Sequence, residues 1–537
     1  MEIGAVSEPN PTGPQWIERS SVFKTGGDPL GIQTITQDRV IGRLLPGILA
    51  LSERARYFSF YAYLLQRYED LRRTPTNRAL QNYVRARDYE YALAVRLCPN
   101  HCGSSAVGAN NASRATATHP ASYERGISVD SDGGGYGLYY GSPMTRLGIV
   151  APAGTLLGEV PTPVDVVRRP GRAIALAQAF GQAIADTRYV TEGFIDNDEP
   201  IPEDVLVDYA SKACLCRLVD FPQERDLLRQ VLLEPDSSVD PAEVRARREG
   251  IALFLDLLSR DKDVGTSDED LRRATWRAFV ETPRITGAAY TRTLSRWAVV
   301  AAGHWAQMAL MIVWRNAGPA LLNRDTGAGL THEELASAIN ELASAKVRVG
   351  ESEIDVHAGR RTRDLDEELR LGFLPADLPS LVGDPRAATS AVAGICHMLL
   401  VRAALPEAEA SGPDWGEFGR IDGEWQPGLI RMMALFDLHL ADNPTVAESL
   451  AWLLNHFVIR THERIAYSKL PEFTFRFRWE MGSLRFYGHP FSWTDPGNIR
   501  ARTLKSLTKD IEFWQPADGQ PVLTPDGVAL VARAFGE

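Results

Sequence analysis

The stretch WAVVAAGHWAQMALMIVW, residues 297–314, is the most apolar run in the chain and largely decides its fold class. Its length just reaches that of a membrane-spanning helix, and Arg296 and Arg315 flank it. His304 and Gln307, however, lie near its middle, where a hydrocarbon surrounding would not solvate polar side chains. The pattern favours the buried central helix of a large helical domain, with a membrane span as the alternative.

Periodic apolar segments lie on both sides of this run. From about residue 171 onward, apolar residues recur at spacings of three and four, and Pro or acidic residues begin many segments. The segments have no fixed period, so a repeat array is not indicated. The sequence therefore predicts a mainly α fold: a large irregular multi-helical body with a small α+β C-terminal module that contains a β-hairpin and a winged-helix-like part.

Four regions are predicted along the chain. They are an extended N-terminal arm (1–45), N-terminal helices (46–170), the helical body (171–467) and a basic C-terminal module (468–537). The second region contains a long Gly/Ser-rich insertion, 99–137, which has the composition of a loop.

The N-terminal helices have clear apolar periodicity. Pro46 is predicted in the first turn of the first helix, where its missing N–H costs nothing. Apolar residues of that helix are spaced by three and four and include Tyr57, Phe58, Tyr61, Leu64, Leu65 and Tyr68. This stripe is typical of a helical core, although it could also serve as a base-stacking or peptide-docking platform. A second helix is predicted at about residues 77–97.

The segment PEFTFRFRWEMGSLRFYGHP, residues 471–490, alternates aromatic and charged residues. This alternation predicts a strand over 472–480, a turn at 481–483 and a return strand over 484–487. We expect the aromatic side chains to pack against the helical body. The arginines that alternate with them, Arg476, Arg478 and Arg485, are expected to point outward.

The following segment, NIRARTLKSLTKDI (498–511), is predicted to be a helix. An apolar stripe lies roughly opposite three basic residues, Arg502, Lys505 and Lys509. Two short strands then flank a turn at 516–519, and Thr524 is expected to cap a last helix that has Pro525 in its first turn. In its pattern, residues 497–537 resemble the second half of a winged-helix module.

Composition excludes several classes of protein. Hydrophobic content of 44% and charged content of 24% are typical of a globular chain rather than a disordered one. The formal net charge of −11 argues against general coating of nucleic acid. An odd number of cysteines, five, argues against a disulfide framework, and no secretory signal is evident, so a cytoplasmic location is expected.

Motifs of known chemistry are scarce. No GxxxxGK[ST] loop, HExxH pair or GxSxG elbow occurs, and no catalytic residue or cofactor is predicted. A zinc site is the open question, because five N or S donors could supply a tetrahedral set: Cys98, His101, Cys102, Cys214 and Cys216. Against it, neither cysteine pair has C-x2-C spacing, and CLC is expected inside an apolar helix, where cysteine usually acts as a small hydrophobe.

Charge is distributed unevenly. Residues 460–509 contain ten Lys or Arg against four Asp or Glu, which leaves −17 for the remainder of the chain. Since phosphate neutralisation supplies much of the affinity for nucleic acid, such a basic segment could be a contact surface for DNA or RNA. The alternatives are a solvated arginine face over an aromatic core and a surface for an acidic protein partner. The predicted contact residues are Arg476, Arg478, Arg485, Arg502, Lys505 and Lys509.

Three functions follow from these patterns. The first is a non-catalytic helical adaptor of a bacterial-type multiprotein assembly, such as one for DNA processing or anti-phage defence, that contacts nucleic acid through its basic C-terminal module and binds a protein partner. The second is a metal-dependent nuclease with a dispersed active site. The third is a pure protein–protein scaffold.

Overall fold

In the computed structural model, the apolar run lies within one long helix, Ala288–Arg324. Among the described residues this is the one helix long and apolar enough to cross a membrane, but 94% of its most apolar window is buried inside the protein. His304 and Gln307 are buried as well. The prediction of a buried central helix is confirmed, and the helix extends about ten residues beyond the apolar run at each end.

The structure describes residues 28–33, 39–103, 106–234, 238–281, 288–382, 384–412, 414–470, 473–487 and 497–536. Most of the predicted N-terminal arm, namely residues 1–27 and 34–38, lies outside these ranges.

The fold is mainly α, as predicted. The helices of eight or more residues are Arg56–Asp70, Asn77–Arg96, Ala109–Ala117, Arg172–Ile184, Glu203–Ala213, Pro222–Leu233, Pro241–Arg260, Asp268–Glu281, Ala288–Arg324, His332–Leu342, Thr362–Arg370, Ala391–Ser411, Leu429–Ala441, Val446–Leu453, Arg460–Ser468, Ala501–Asp510 and Pro525–Phe535.

The strands are short and form small antiparallel sheets. Two-stranded pairs are Ser122–Tyr123 with Ile201–Pro202, Val150–Ala151 with Val166–Val167, Leu156–Leu157 with Val160–Pro161, Ala345–Val349 with Ser352–Val356, and Trp514–Ala517 with Gln520–Leu523. A three-stranded sheet joins Phe477–Glu480, Ser483–Phe486 and Leu330–Thr331.

The chain divides into two compact units, each built from separate segments. The first unit contains 1–35, 303–406 and 419–496, and the second contains 36–302, 407–418 and 497–537. The segment 468–537 thus contributes its first hairpin to one unit and its helix–hairpin–helix to the other.

The core of the second unit is organised around the helix Arg56–Asp70. Phe60 stacks on Tyr91 with ring centroids 4.2 Å apart, and it meets Phe180 edge-on at 5.7 Å. Tyr57 and Tyr61 are fully buried. The aromatic stripe is therefore core rather than a platform for bases, and each buried ring contributes about 1.5–3 kcal/mol to folding.

In the first unit, the second half of the helix Ala288–Arg324 packs closely against the helix Ala391–Ser411. The approach depends on Gly394, where an added Cβ would lie 2.6 Å from the carbonyl oxygen of Ala309 and 2.6 Å from a methyl group of Val313. Only glycine allows the two backbones to come this close.

The predicted elements at the C-terminal end are confirmed with shorter strands. The first hairpin pairs Phe477 with Phe486 and Glu480 with Ser483, and turns at Met481 and Gly482. The helix Ala501–Asp510 and the second hairpin follow, and Thr524 accepts a hydrogen bond from the Gly527 N–H at 3.3 Å at the start of the last helix.

Two local predictions are wrong. Pro46 does not begin a helix, because Gly47 follows it at φ +77° and the two residues form a turn; the first long helix begins at Arg56. The insertion 99–137 is not a simple loop, since it contains the helix Ala109–Ala117 and a strand that pairs with Ile201–Pro202.

Tertiary contacts explain why the insertion is ordered. The buried carboxylate of Asp88 accepts hydrogen bonds from the Tyr61 hydroxyl at 2.6 Å and from the Gly135 N–H at 2.9 Å, and also bonds Ser128. These bonds fix Ser128 and Gly135, near the C-terminal end of the insertion, to the helical core, which the composition alone does not reveal.

Candidate metal centre and basic surfaces

Four cysteine thiols converge in the second unit. The Sγ atoms of Cys102 and Cys214 lie 3.6 Å apart, those of Cys214 and Cys216 lie 3.6 Å apart, and those of Cys98 and Cys216 lie 3.8 Å apart. All four sulfur atoms lie within 4.8 Å of one another. The fifth predicted ligand, His101, is exposed and does not belong to this group.

The first pair is positioned by the end of a helix. The helix Asn77–Arg96 stops before Cys98, and Pro99 cannot continue it. The chain then reverses: the His101 N–H donates to the Cys98 carbonyl at 2.9 Å, and His101 itself has φ +45°. This turn returns Cys102 to the side of Cys98.

The second pair is also at a helix end, so the expectation that CLC lies inside an apolar helix is wrong. The helix Glu203–Ala213 ends at Cys214, whose ψ of 144° is extended, and a 3₁₀ turn, Leu215–Asp220, follows. The sequence contains no proline or glycine at this break. The apolar periodicity therefore continues through it and does not show where the helix ends.

Side chains from neighbouring helices replace the missing helical bonds at this break. Arg56 donates from Nη1 to the carbonyls of Lys212, at 2.8 Å, and Cys214, at 2.7 Å, and the Tyr91 hydroxyl donates to the Ala213 carbonyl at 2.8 Å. Three carbonyls at the end of a helix are thereby satisfied.

Arg56 is itself held rigidly. Its guanidinium makes two hydrogen bonds to the Glu224 carboxylate, at 3.2 and 3.0 Å, and both residues are fully buried. Ser59 also donates to Glu224. Losing either partner of this buried pair would leave an uncompensated charge, so the guanidinium stays in place. Its hydrogen bond to the Cys214 carbonyl therefore fixes the position of that backbone.

Burial raises the pKa of the Cys216 thiol to about 11 and raises the pKa of Cys214 as well; Cys98 adds to both effects, whereas the hydrogen bond with Cys214 partly offsets the rise at Cys216. Four thiolates this close together would repel one another unless a positive charge lay among them. Thiolates are the form of cysteine that binds metals, and four of them make a soft tetrahedral ligand set.

The six predicted nucleic-acid contacts do not share one environment. Arg476 is only 5% exposed, so the expectation that it points outward is wrong. Its guanidinium lies 5.9 Å from the ring centroid of Trp314, and burial lowers its pKa. The strand begins at Phe477, one residue later, and the alternation of faces that placed Arg476 outside therefore does not apply to it.

Arg478 and Arg485 lie in the hairpin and face the same carboxylate. Arg478 makes an ion pair with Glu480, donates to the Tyr487 hydroxyl at 3.0 Å and lies over the Phe475 ring at 4.7 Å. The Nε of Arg485 is 3.5 Å from Glu480. Both side chains are partly buried, so the expectation of an outward arginine face is wrong for Arg478 and holds only in part for Arg485.

The basic residues of the helix Ala501–Asp510 are more available. Arg502 and Lys509 are exposed, with the Lys509 amine 5.9 Å from the Trp514 ring centroid. Lys505 is half-buried and donates to the Thr266 hydroxyl at 3.4 Å. The opposite stripe, which includes Leu504 and Leu507, is buried as predicted.

An open cleft of about 640 Å³ adjoins this helix. Ser506 lines it, and Arg502 and Lys509 lie on the same helical face because they are four residues before and three residues after Ser506. Arg54 and Arg114 also line the cleft. Arg54 makes two hydrogen bonds to Asp510, at 2.8 and 2.9 Å.

The remaining walls of the cleft are polar and aromatic. They include the start of the helix Ala109–Ala117, with Asn110 and Asn111, and the side chain of Tyr139; Glu53 is an acidic group among the lining residues. The sequence identified Arg502 and Lys509 but not this cleft, because its walls come from segments far apart in the chain.

Comparison of the chain with protein-family models, with curated proteins and with solved structures finds no match. Function must therefore be inferred from the residues of this chain.

Proposed function

We propose that this chain is a non-catalytic helical adaptor that contacts nucleic acid through the exposed face of the helix Ala501–Asp510 and the cleft beside it. We further propose that it works with a protein partner in a cytoplasmic, bacterial-type assembly for DNA processing or defence. None of the five cysteines forms a disulfide, which fits a reducing compartment.

The observation that carries the proposal is the shared face of Arg502, Ser506 and Lys509. Two cations project from a helix whose middle residue lines a cleft, so a bound strand could place successive phosphates beside Arg502 and Lys509. Arg114 supplies a further exposed guanidinium at the cleft.

The cleft itself suits single-stranded nucleic acid, whose bases are free to stack. It offers the side-chain amide of Asn110 and the aromatic side chain of Tyr139, on which a base could stack. The carboxylate of Asp510 is already engaged by Arg54, so it opposes a phosphate less than a free acid would.

A binding titration tests the proposal. Fluorescence anisotropy of labelled single-stranded DNA, double-stranded DNA and RNA should reveal binding at 50 mM salt that weakens steeply toward 200 mM. The double variant Arg502→Glu/Lys509→Glu should lower affinity by at least about tenfold.

A matched control is Arg72→Glu/Arg78→Glu, which makes the same charge change at exposed positions beyond the far end of the helix Arg56–Asp70. It should leave affinity within about twofold. Absence of binding at 50 mM salt, or equal losses in both double variants, would refute the proposal.

The nuclease and scaffold alternatives have distinct outcomes in the same assay. Cleavage of the labelled strands with Mg²⁺ or Mn²⁺ would indicate a nuclease. A stoichiometric co-purifying protein, combined with no nucleic-acid binding, would indicate a scaffold.

A further inference from the structure

We propose that Cys98, Cys102, Cys214 and Cys216 bind one zinc ion in a tetrahedral site. With Zn–S bonds of about 2.3 Å, tetrahedral geometry sets neighbouring sulfur atoms about 3.8 Å apart. Three of the sulfur–sulfur distances are 3.6, 3.6 and 3.8 Å, and the others stay within 4.8 Å. The four donors are therefore already arranged at the spacing that the ion requires.

Other uses of four cysteines fit less well. A disulfide joins one sulfur to one partner at about 2.05 Å, whereas Cys214 and Cys216 each have two sulfur neighbours below 4 Å. An iron–sulfur cluster distributes its four cysteines over two or four irons, so sulfurs on different irons would lie farther apart.

Simple core packing is also a poor account of this cluster. Cys102 and Cys216 are half-buried rather than buried, and a cavity of about 320 Å³ reaches Cys98 and Cys102. This cavity gives an ion a path to the thiols. Cys396, by contrast, is a buried cysteine outside the cluster and shows the ordinary use of the residue as a small hydrophobe.

The role of the ion would be structural. All four coordination positions come from the protein, and no open position remains for a substrate. The ion would tie the end of the helix Asn77–Arg96 to the end of the helix Glu203–Ala213, across a sequence separation of 112 residues between Cys102 and Cys214.

The bonds from Arg56 and Tyr91 then act as supporting contacts. They hold the backbone at Ala213 and Cys214 before any metal arrives, so the second pair of thiols is preorganised. This inference does not rest on the proposed nucleic-acid function, because it concerns a different set of residues and a different ligand.

Metal analysis of the full chain tests the proposal. Protein purified from zinc-supplemented medium should contain about one zinc per chain by mass spectrometry of metals. Cys102→Ser and Cys214→Ser should each lose most of it, whereas Cys396→Ser should keep it.

A second measurement covers the case in which a serine variant fails to fold. Wild-type protein reconstituted with Co²⁺ should develop the thiolate-to-cobalt charge-transfer absorption of a sulfur-rich tetrahedral site, and added Zn²⁺ should abolish it. Stoichiometric iron, disulfides between the four cysteines, or protein that folds with neither zinc nor the cobalt absorption would each overturn the proposal.

Discussion

The first hairpin region and the helix Ala501–Asp510 each contribute three of the predicted basic contacts, but the side chains differ in burial and in their ion pairs. In the hairpin region Arg476 is buried, and Glu480 faces both Arg478 and Arg485. The helix leaves Arg502 and Lys509 exposed.

The difference lies in what covers each element. The hairpin is paired with a third strand, Leu330–Thr331, and Phe477 packs against Trp314 while Trp479 stacks on His332. Little of its surface remains for cations. A helix with a single apolar stripe keeps its opposite face in water, so its basic residues stay available.

The largest effect is expected from Arg476→Glu, which would place an uncompensated carboxylate among buried aromatic rings. We expect the free energy of unfolding to fall by about 3–5 kcal/mol, measured by urea denaturation. Arg502→Glu, an exposed position, should change it by less than about 0.5 kcal/mol. Equal stability of the two variants would mean that Arg476 is accessible to solvent.

An intermediate effect is expected on nucleic-acid affinity when the two elements lose the same charge. Arg502→Gln/Lys509→Gln should weaken binding by about tenfold at 50 mM salt and reduce the salt slope by about 2. Arg478→Gln/Arg485→Gln should change it by less than about twofold, because both arginines are partly buried and face the carboxylate of Glu480. A larger loss of affinity in the Arg478→Gln/Arg485→Gln variant would show that the hairpin, not the helix, makes the main contact.

The smallest effect concerns the pH dependence of the Glu480 contacts. Burial opposes ionisation of Glu480, but hydrogen bonds from Tyr487 and Arg478 outweigh it and lower the pKa below its ordinary value. A carboxyl group with a lowered folded pKa contributes stability above its unfolded pKa and loses it as the pH falls through the folded pKa.

Glu480→Gln should therefore cost less than about 1 kcal/mol at pH 7, since the group is partly solvated, and the difference from wild type should shrink below about pH 4. Urea midpoints at the two pH values give this comparison. A difference that stays constant from pH 7 to pH 3 would show that the carboxylate charge is unimportant there.

Much of the fold was predictable because it depends on local pattern. The spacing of three and four identified the helices Asn77–Arg96 and Ala501–Asp510, and alternation with a Gly-containing turn identified the hairpin at Met481–Gly482. The order of the later part of the insertion 99–137 was not predictable, because it depends on contacts such as those of Ser128 and Gly135 with the distant Asp88.

The candidate sites were predictable only in part. All four cysteines were recognised as possible ligands, but the break at Cys214 follows from hydrogen bonds to Arg56, 158 residues away, rather than from a local breaker. The exposure of the arginines also depends on neighbouring side chains, which the alternation of residues along a strand does not indicate. For this reason the prediction that Arg476 points outward was wrong.

The paired hydrogen bonds between Arg54 and Asp510 have a consequence for how the protein is made. The two residues are separated by 456 positions, so a ribosome adding about 5–20 residues per second needs roughly 20–90 s between them. During that time Ser506 and its basic neighbours do not yet exist beside the cleft. A nascent chain therefore cannot make the proposed nucleic-acid contact through that helix, and premature termination before residue 501 would yield products that lack the helix.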